Sequence, residues 1–142
     1  MEGILLTNHA ESLIALQRWD EADRNLTTAL AIGREGDDPA RAGEALKYLG
    51  ILERERGRAD MATRHLNDAH MIARTVGNPL LAAEVLRERG ELLSREGNPV
   101  AAVNDWRQAL HGFERLDATL DADDLRTRLA VLVQTPRVPD SK

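Results

Sequence analysis

The stretch LKYLGILERERGRADMATRHLNDA, residues 46–69, decides how the chain reads. Leu46, the pair Leu49-Gly50, Ala62, Leu66 and Ala69 stand in it at helical spacing. Moved forward by 40 residues, the set recurs as Leu86, Gly90, Ala102, Trp106 and Ala109. Moved back by 40, it recurs more loosely as Leu6, Ala10, Ala22, Leu26 and Ala29. A fixed period of this size marks a stack of helical units, each too small to bury its own apolar stripe and so covering it with the next. Gly50, Gly90, Ala62 and Ala102 are small where two helices must cross closely. Leu66 and Trp106 are large where the next layer leaves a gap.

Working outward, the punctuation predicts helices over residues 3–17, 20–35, 39–56, 59–76, 79–96, 99–116 and 121–134. Arg18-Trp19-Asp20 is the first turn. Gly36-Asp37-Asp38-Pro39, Gly77-Asn78-Pro79 and Gly97-Asn98-Pro99 each supply a stop, a cap and a proline suited to the first helical position. Gly57 ends the third helix, and Asp121 is expected to cap the seventh. Ala130 falls 40 residues after Gly90, so the seventh helix opens a fourth copy. The final TPRVPDSK, residues 135–142, reads as a disordered tail. No strand pattern and no internal domain boundary interrupt the series, so the chain is expected to be one all-α repeat domain over residues 1–134.

A chain of 142 residues can bury a substantial core without staples. It has no cysteine, which removes disulfides, thiolate metal sites and thiol nucleophiles and fits a cytoplasmic protein. No window approaches the roughly 18 apolar residues of a membrane span, and MEGILLTNHAES lacks the basic flank and cleavage site of a signal peptide. The net charge of −5 argues against a general nucleic-acid surface.

Catalytic chemistry finds little to build on. His65 and His70 are five apart and lie on different sides of a helix, while Asp68 shares a face with His65. Two ligands fall short of a metal site. His70 stands at the half-buried packing position of Leu30 and Leu110, and His9 at the core position of Leu49. Asp121, Asp123 and Asp124 cluster at a helix start, where they favour the positive end of the dipole, and they lack the glycine-centred spread of a calcium loop. No nucleophile triad, phosphate loop or zincin motif is present. The chain is therefore read as no enzyme, with no cofactor and no metal.

The pattern Leu46, Leu49-Gly50, Ala62, Leu66, Ala69 resembles the tetratricopeptide repeat. Its period of 40, rather than about 34, is similar to the longer-helix variant of bacterial signalling and transcription regulators and of kinesin light chains. Arg89 stands where the pattern has leucine, and His9-Ala10 replace the Leu-Gly pair in the first copy. The resemblance implies a right-handed α-solenoid of three helical hairpins, over about 3–38, 39–78 and 79–118, plus a C-terminal helix. It also implies that the first helix of each hairpin lines a concave groove that binds peptides. The matching positions are Asn8, Glu11, Glu44, Lys47, Ile51, Arg54, Glu84, Arg87, Glu91, Arg95, Thr127 and Arg128. Lys47, Arg54, Arg87 and Arg128 recur on those helices and would suit an acidic peptide. The pairs Glu44–Lys47, Glu84–Arg87 and Arg87–Glu91 are spaced to neutralise one another along their own helix. The function expected is a non-catalytic protein–protein interaction scaffold holding a peptide or helix. The rival is a peptide-sensing module of a bacterial transcription regulator or signalling protein. Apolar runs at the two ends, Ile4-Leu5-Leu6 and Ala130-Val131-Leu132-Val133, suggest a contact surface, with a homodimer through the last helix as the favoured form.

Overall fold

The computed structural model describes residues 2–134, and side chains from residue 9 onward. Seven helices follow one another: α1 (Glu2–Ala15), α2 (Trp19–Glu35), α3 (Pro39–Glu55), α4 (Ala59–Val76), α5 (Pro79–Arg95), α6 (Pro99–Arg115) and α7 (Thr119–Gln134). Each packs on its sequence neighbours, and α3 also touches both α1 and α5. This is a helical-repeat solenoid, and no strand occurs among the described residues. The expectations for Asn8, for Ile4-Leu5-Leu6 and for the tail at 135–142 fall outside the described side chains.

The 40-residue period is built from two equal halves. Gln17, Asp37, Gly57, Gly77, Gly97 and Asp117, spaced by 20, all have positive φ, between 52° and 81°. After each, the next amide returns to the carbonyl five residues back: Arg18 to Leu13, Asp38 to Gly33, Arg58 to Glu53, Asn78 to Ala73, Asn98 to Leu93 and Ala118 to Phe113, at 2.7–2.9 Å. This is the left-handed turn that satisfies the last helical carbonyls. Glycine adopts it freely, whereas Gln17, Asp37 and Asp117 hold a conformation that costs an L-residue roughly 1 kcal/mol or more. Asp38, Asn78 and Asn98 then cap the next helix, each accepting the amide three residues on at 3.0–3.4 Å. Arg18 and Arg58 occupy the same position without a side-chain cap. Several helix ends shift by one or two residues from expectation, and two of the shifts change a residue's role. Trp19 is the first residue of α2 rather than part of the turn, and Thr119 starts α7, so Asp121 lies in its first turn and does not cap it.

The stripe read from the sequence is the core. Ala22, Leu26, Leu46, Leu49, Ala62, Leu66 and Ala69 are buried together, and Leu86, Trp106, Ala109 and Phe113 form its continuation toward α7. Burying each leucine is worth roughly 2 kcal/mol of transfer free energy. The small residues stand where the helices cross. A Cβ on Gly50 would lie 2.6 Å from Leu66 Cγ and 3.5 Å from the Ala62 carbonyl. On Gly90 it would lie 2.3 Å from Trp106 Cδ1. The Trp106 indole, 4% exposed, donates its N–H to the Arg87 carbonyl at 3.0 Å.

His9 departs from the core role expected of it. It is exposed while Ala10 beside it is fully buried. Its counterpart Arg89 reaches back to Asn67 on α4, the helix before its own hairpin, and among the described residues no helix stands before α1.

Candidate functional site

First helices pack against one another, α1 on α3 and α3 on α5, and so form the inner side of the stack. Their polar residues meet across that side, not along each helix as expected. Lys47 does not pair with Glu44 but donates to Glu84 at 3.0 Å. Arg87 bonds Asp121 at 2.8 Å instead of Glu84 or Glu91. Arg54 reaches the Glu88 carboxylate at 2.9 Å and the Glu88 carbonyl at 3.1 Å. Glu91 pairs with Arg128 at 3.2 Å, and Glu55 with Arg95 at 2.7 Å. Arg54–Glu55, Arg87–Glu88, Arg95–Glu91 and Arg128–Asp124 also pair within one helix at this face. The result is a ladder of ion pairs joining α3 to α5 and α5 to α7.

Burial sets the character of these groups. Lys47 is 4% exposed, its ammonium 4.5 Å from the centre of the Tyr48 ring. The Arg54 side chain is 8% exposed. Burial pushes the Glu88 carboxyl up, but Arg54 and Arg87 outweigh it and hold it below the usual carboxylate range. Removing one member of so buried a pair strands its partner. Charge reversal at Lys47 or Arg87 is therefore a perturbation of the fold as well as of binding. Of the remaining positions, Glu44 is half-buried and Glu11 exposed, and neither has an ion pair among the described residues. Ile51 packs on the core. Thr127 is exposed and donates to the Asp123 carbonyl at 3.1 Å.

A recess of about 320 Å3 opens between the N-terminal halves of α3 and α5, lined by Arg41, Glu44, Lys47, Tyr48, Leu80 and Glu84. Burial pushes the Tyr48 hydroxyl up; Lys47 opposes the shift, and the carboxylates of Glu11, Glu44 and Glu84 add to it.

Sequence reasoning missed the carboxylates Glu55, Glu88 and Asp121, because they meet cations 34 to 40 residues away. It also missed two buried pairs outside the inner face. Glu53, 2% exposed, is held by Arg56 through both oxygens at 2.9 and 3.1 Å, and Arg56 also reaches Asp23 at 3.0 Å. Asp105, 3% exposed, is gripped by Arg89 at 2.7 and 3.0 Å. Arg89 and Asp105 stand one period after Leu49 and His65, so the departure at Arg89 is matched by a second departure facing it. A comparison of each repeat with the next at facing positions carries that signal. His70 is half-buried as expected, and burial, then Arg89 and Arg74, lower its basicity. Among the described residues, no three histidine or carboxylate side chains converge on a point where a metal could sit.

No helix among the described residues is long and apolar enough to cross a membrane. No curated protein matches the chain. Residues 2–75 match the model of the tetratricopeptide repeat, whose repeats generally mediate protein–protein interactions. The match spans α1 to α4, and α5 and α6 repeat the register of α3 and α4. The chain belongs to the tetratricopeptide repeat family.

Proposed function

We propose that the chain is a non-catalytic interaction scaffold that holds a peptide or a helix along the inner face of α1, α3, α5 and α7. The observation that carries this reading is the recess between α3 and α5, where apolar Leu80, 45% exposed, lies beside Tyr48 and charged Glu44 and Glu84. Apolar pockets with a few polar groups are where binding energy concentrates. The test compares two exposed apolar residues on opposite faces. Leu80→Asp should weaken a captured partner by about tenfold or more, while Met71→Asp on α4, 69% exposed, should leave it unchanged. The opposite pattern would place the partner on the outer side and end this reading.

A second copy of the chain is proposed to meet the first at α7. In the inner repeats Gly50 and Gly90 are covered by α4 and α6. The equivalent Ala130 is exposed, with Val133 beside it at 60%, and no described helix lies over them. Identical apolar edges are self-complementary under two-fold symmetry. Light scattering at high concentration should give a dimer, and Val133→Asp should dissociate it with helicity retained. A monomer would remove the proposal.

A further inference from the structure

Among the described residues, the inner ladder joins α3 to α5 and α5 to α7 by ion pairs, and no ion pair joins α1 to α3. Glu84 has its cation at Lys47, 37 residues earlier. Glu44 is the same position one period back, and 37 residues before it stands Thr7, which has no charge. Glu91 has its cation at Arg128, 37 residues later. Glu11 is the matching position two periods back, and 37 residues after it stands Tyr48. Both cations are thus replaced by neutral residues at one step of the stack. The half-buried carboxylates Glu55, Glu84, Glu88, Glu91 and Asp121 all have a cation. Glu44 is half-buried without one among the described residues.

A partly desolvated carboxylate without a counter-charge is a cost to the free protein and an attraction to a cationic ligand. The cations of the inner face offer no comparable opening to an acidic ligand, since Lys47, Arg54 and Arg87 are already engaged. Glu44 lines the recess of about 320 Å3 together with the Tyr48 ring, Leu80 and Leu81, and the Glu11 carboxylate on α1 acts on the same tyrosine hydroxyl. An aromatic face flanked by carboxylates suits the apolar stem and charged head of lysine or arginine.

We propose that the partner is a basic peptide segment, whose lysine or arginine side chains seat at the Tyr48 recess and supply to Glu11 and Glu44 the charges that the ladder lacks there. This rests on the inner-face reading above, and the two fail differently. The probes are labelled peptides of one apolar pattern carrying lysine, glutamine or glutamate at their remaining positions. Fluorescence anisotropy measures affinity, and amide chemical shifts locate the site. The lysine peptide should bind tightest, shift Tyr48 and Leu80, and weaken with added salt. Glu11→Gln with Glu44→Gln should reduce its affinity by about tenfold, the order expected for two partly exposed pairs, while Glu35→Gln on α2 should not. Tighter binding of the glutamate peptide with shifts at Tyr48 would overturn the basic partner and keep the inner face. Lysine-peptide binding that ignores Glu11 and Glu44 and shifts only α2, α4 and α6 would overturn both. Failure of every peptide to bind would overturn the basic peptide, leaving Leu80→Asp to test the face.

Discussion

Replacing Gly90 with alanine should damage this protein more than any comparable change in the stack. The added Cβ would lie 2.3 Å from Trp106 Cδ1 and 2.4 Å from Nε1, so the indole must retreat by roughly 1 Å to reach ordinary contact. It has little room, being 4% exposed and rigid, and its N–H holds the Arg87 carbonyl at 3.0 Å. Overpacking costs about 1–3 kcal/mol, and stretching a buried hydrogen bond until the donor is unsatisfied adds about 1–3 kcal/mol. Alanine's better helix propensity returns about 1 kcal/mol. The net is a loss of about 3 kcal/mol, or roughly 10 °C in melting temperature for a chain of this size. Gly50→Ala makes the internal comparison. Its Cβ would meet Leu66 Cγ at 2.6 Å, but a leucine can change rotamer and gives up no hydrogen bond, so the loss should be about 1 kcal/mol. Urea unfolding followed by circular dichroism and tryptophan emission measures both. Trp106→Leu in the Gly90→Ala background should recover most of the loss, because the internal precedent is Leu66 against Gly50. If Gly90→Ala melts with the parent chain, or Gly50→Ala proves the worse of the two, the crossing geometry is wrong.

Three further outcomes follow from the same packing. Gln17→Gly should stabilise by about 1 kcal/mol in a thermal melt by relieving a left-handed backbone, and Gly97→Ala should cost about as much although nothing lies within 4 Å of its Cβ. Arg89→Leu should cost about 3–5 kcal/mol by stranding buried Asp105, and adding Asp105→His should restore most of it, recreating the Leu49–His65 pair. Stability should fall on acidification in two stages. His65 and His70 have folded pKa values lowered below 6.5, chiefly by burial, so the unfolded chain binds protons first and stability declines as pH drops below about 6.5. Glu88, lowered below 4.5, adds a second loss as pH drops below that value. His65→Leu with His70→Leu should flatten the first stage in urea titrations at each pH, and an unchanged profile would refute the assignment.

How much of this was legible in the sequence follows from the range over which each residue acts. The core positions Leu46, Gly50, Leu66 and Trp106 repeat because every layer poses the same packing problem, so a period read along the chain finds them. Asp38, Asn78 and Asn98 act on an amide three residues away and were equally plain. The turn positions were half visible. Gly57, Gly77 and Gly97 announce a left-handed residue, but Gln17, Asp37 and Asp117 hold the same conformation under side chains that do not. There the backbone return bond to the carbonyl five residues back, not side-chain preference, fixes the conformation. His9 was misplaced because its counterpart Leu49 owes its burial to neighbours that the first repeat does not have on that side.

The charges resisted reading for a different reason. Along one helix, Glu44–Lys47 and Glu84–Arg87 have the right spacing to pair, and nothing local says they do not. What decides is the offset between consecutive first helices. Lys47 meets Glu84, and Arg54 meets Glu88. In each case the partner stands three or six residues nearer its own N-terminus than the position one period on. Arg87 with Asp121 and Glu91 with Arg128 repeat the same offsets of 34 and 37. An inclined packing of helices displaces the meeting register in this way. A pair that spans two helices also removes more water than one lying along an exposed face, which is why Lys47 and Arg54 end buried rather than solvated. Once the offset is known, the sequence becomes readable again. Opposite charges 34 or 37 apart on first helices pair, and a charge facing a neutral residue at that distance is one left for something else to answer. Glu11, with Tyr48 37 residues after it, and Glu44, with uncharged Thr7 37 residues before it, are such charges, and they stand on α1 and α3.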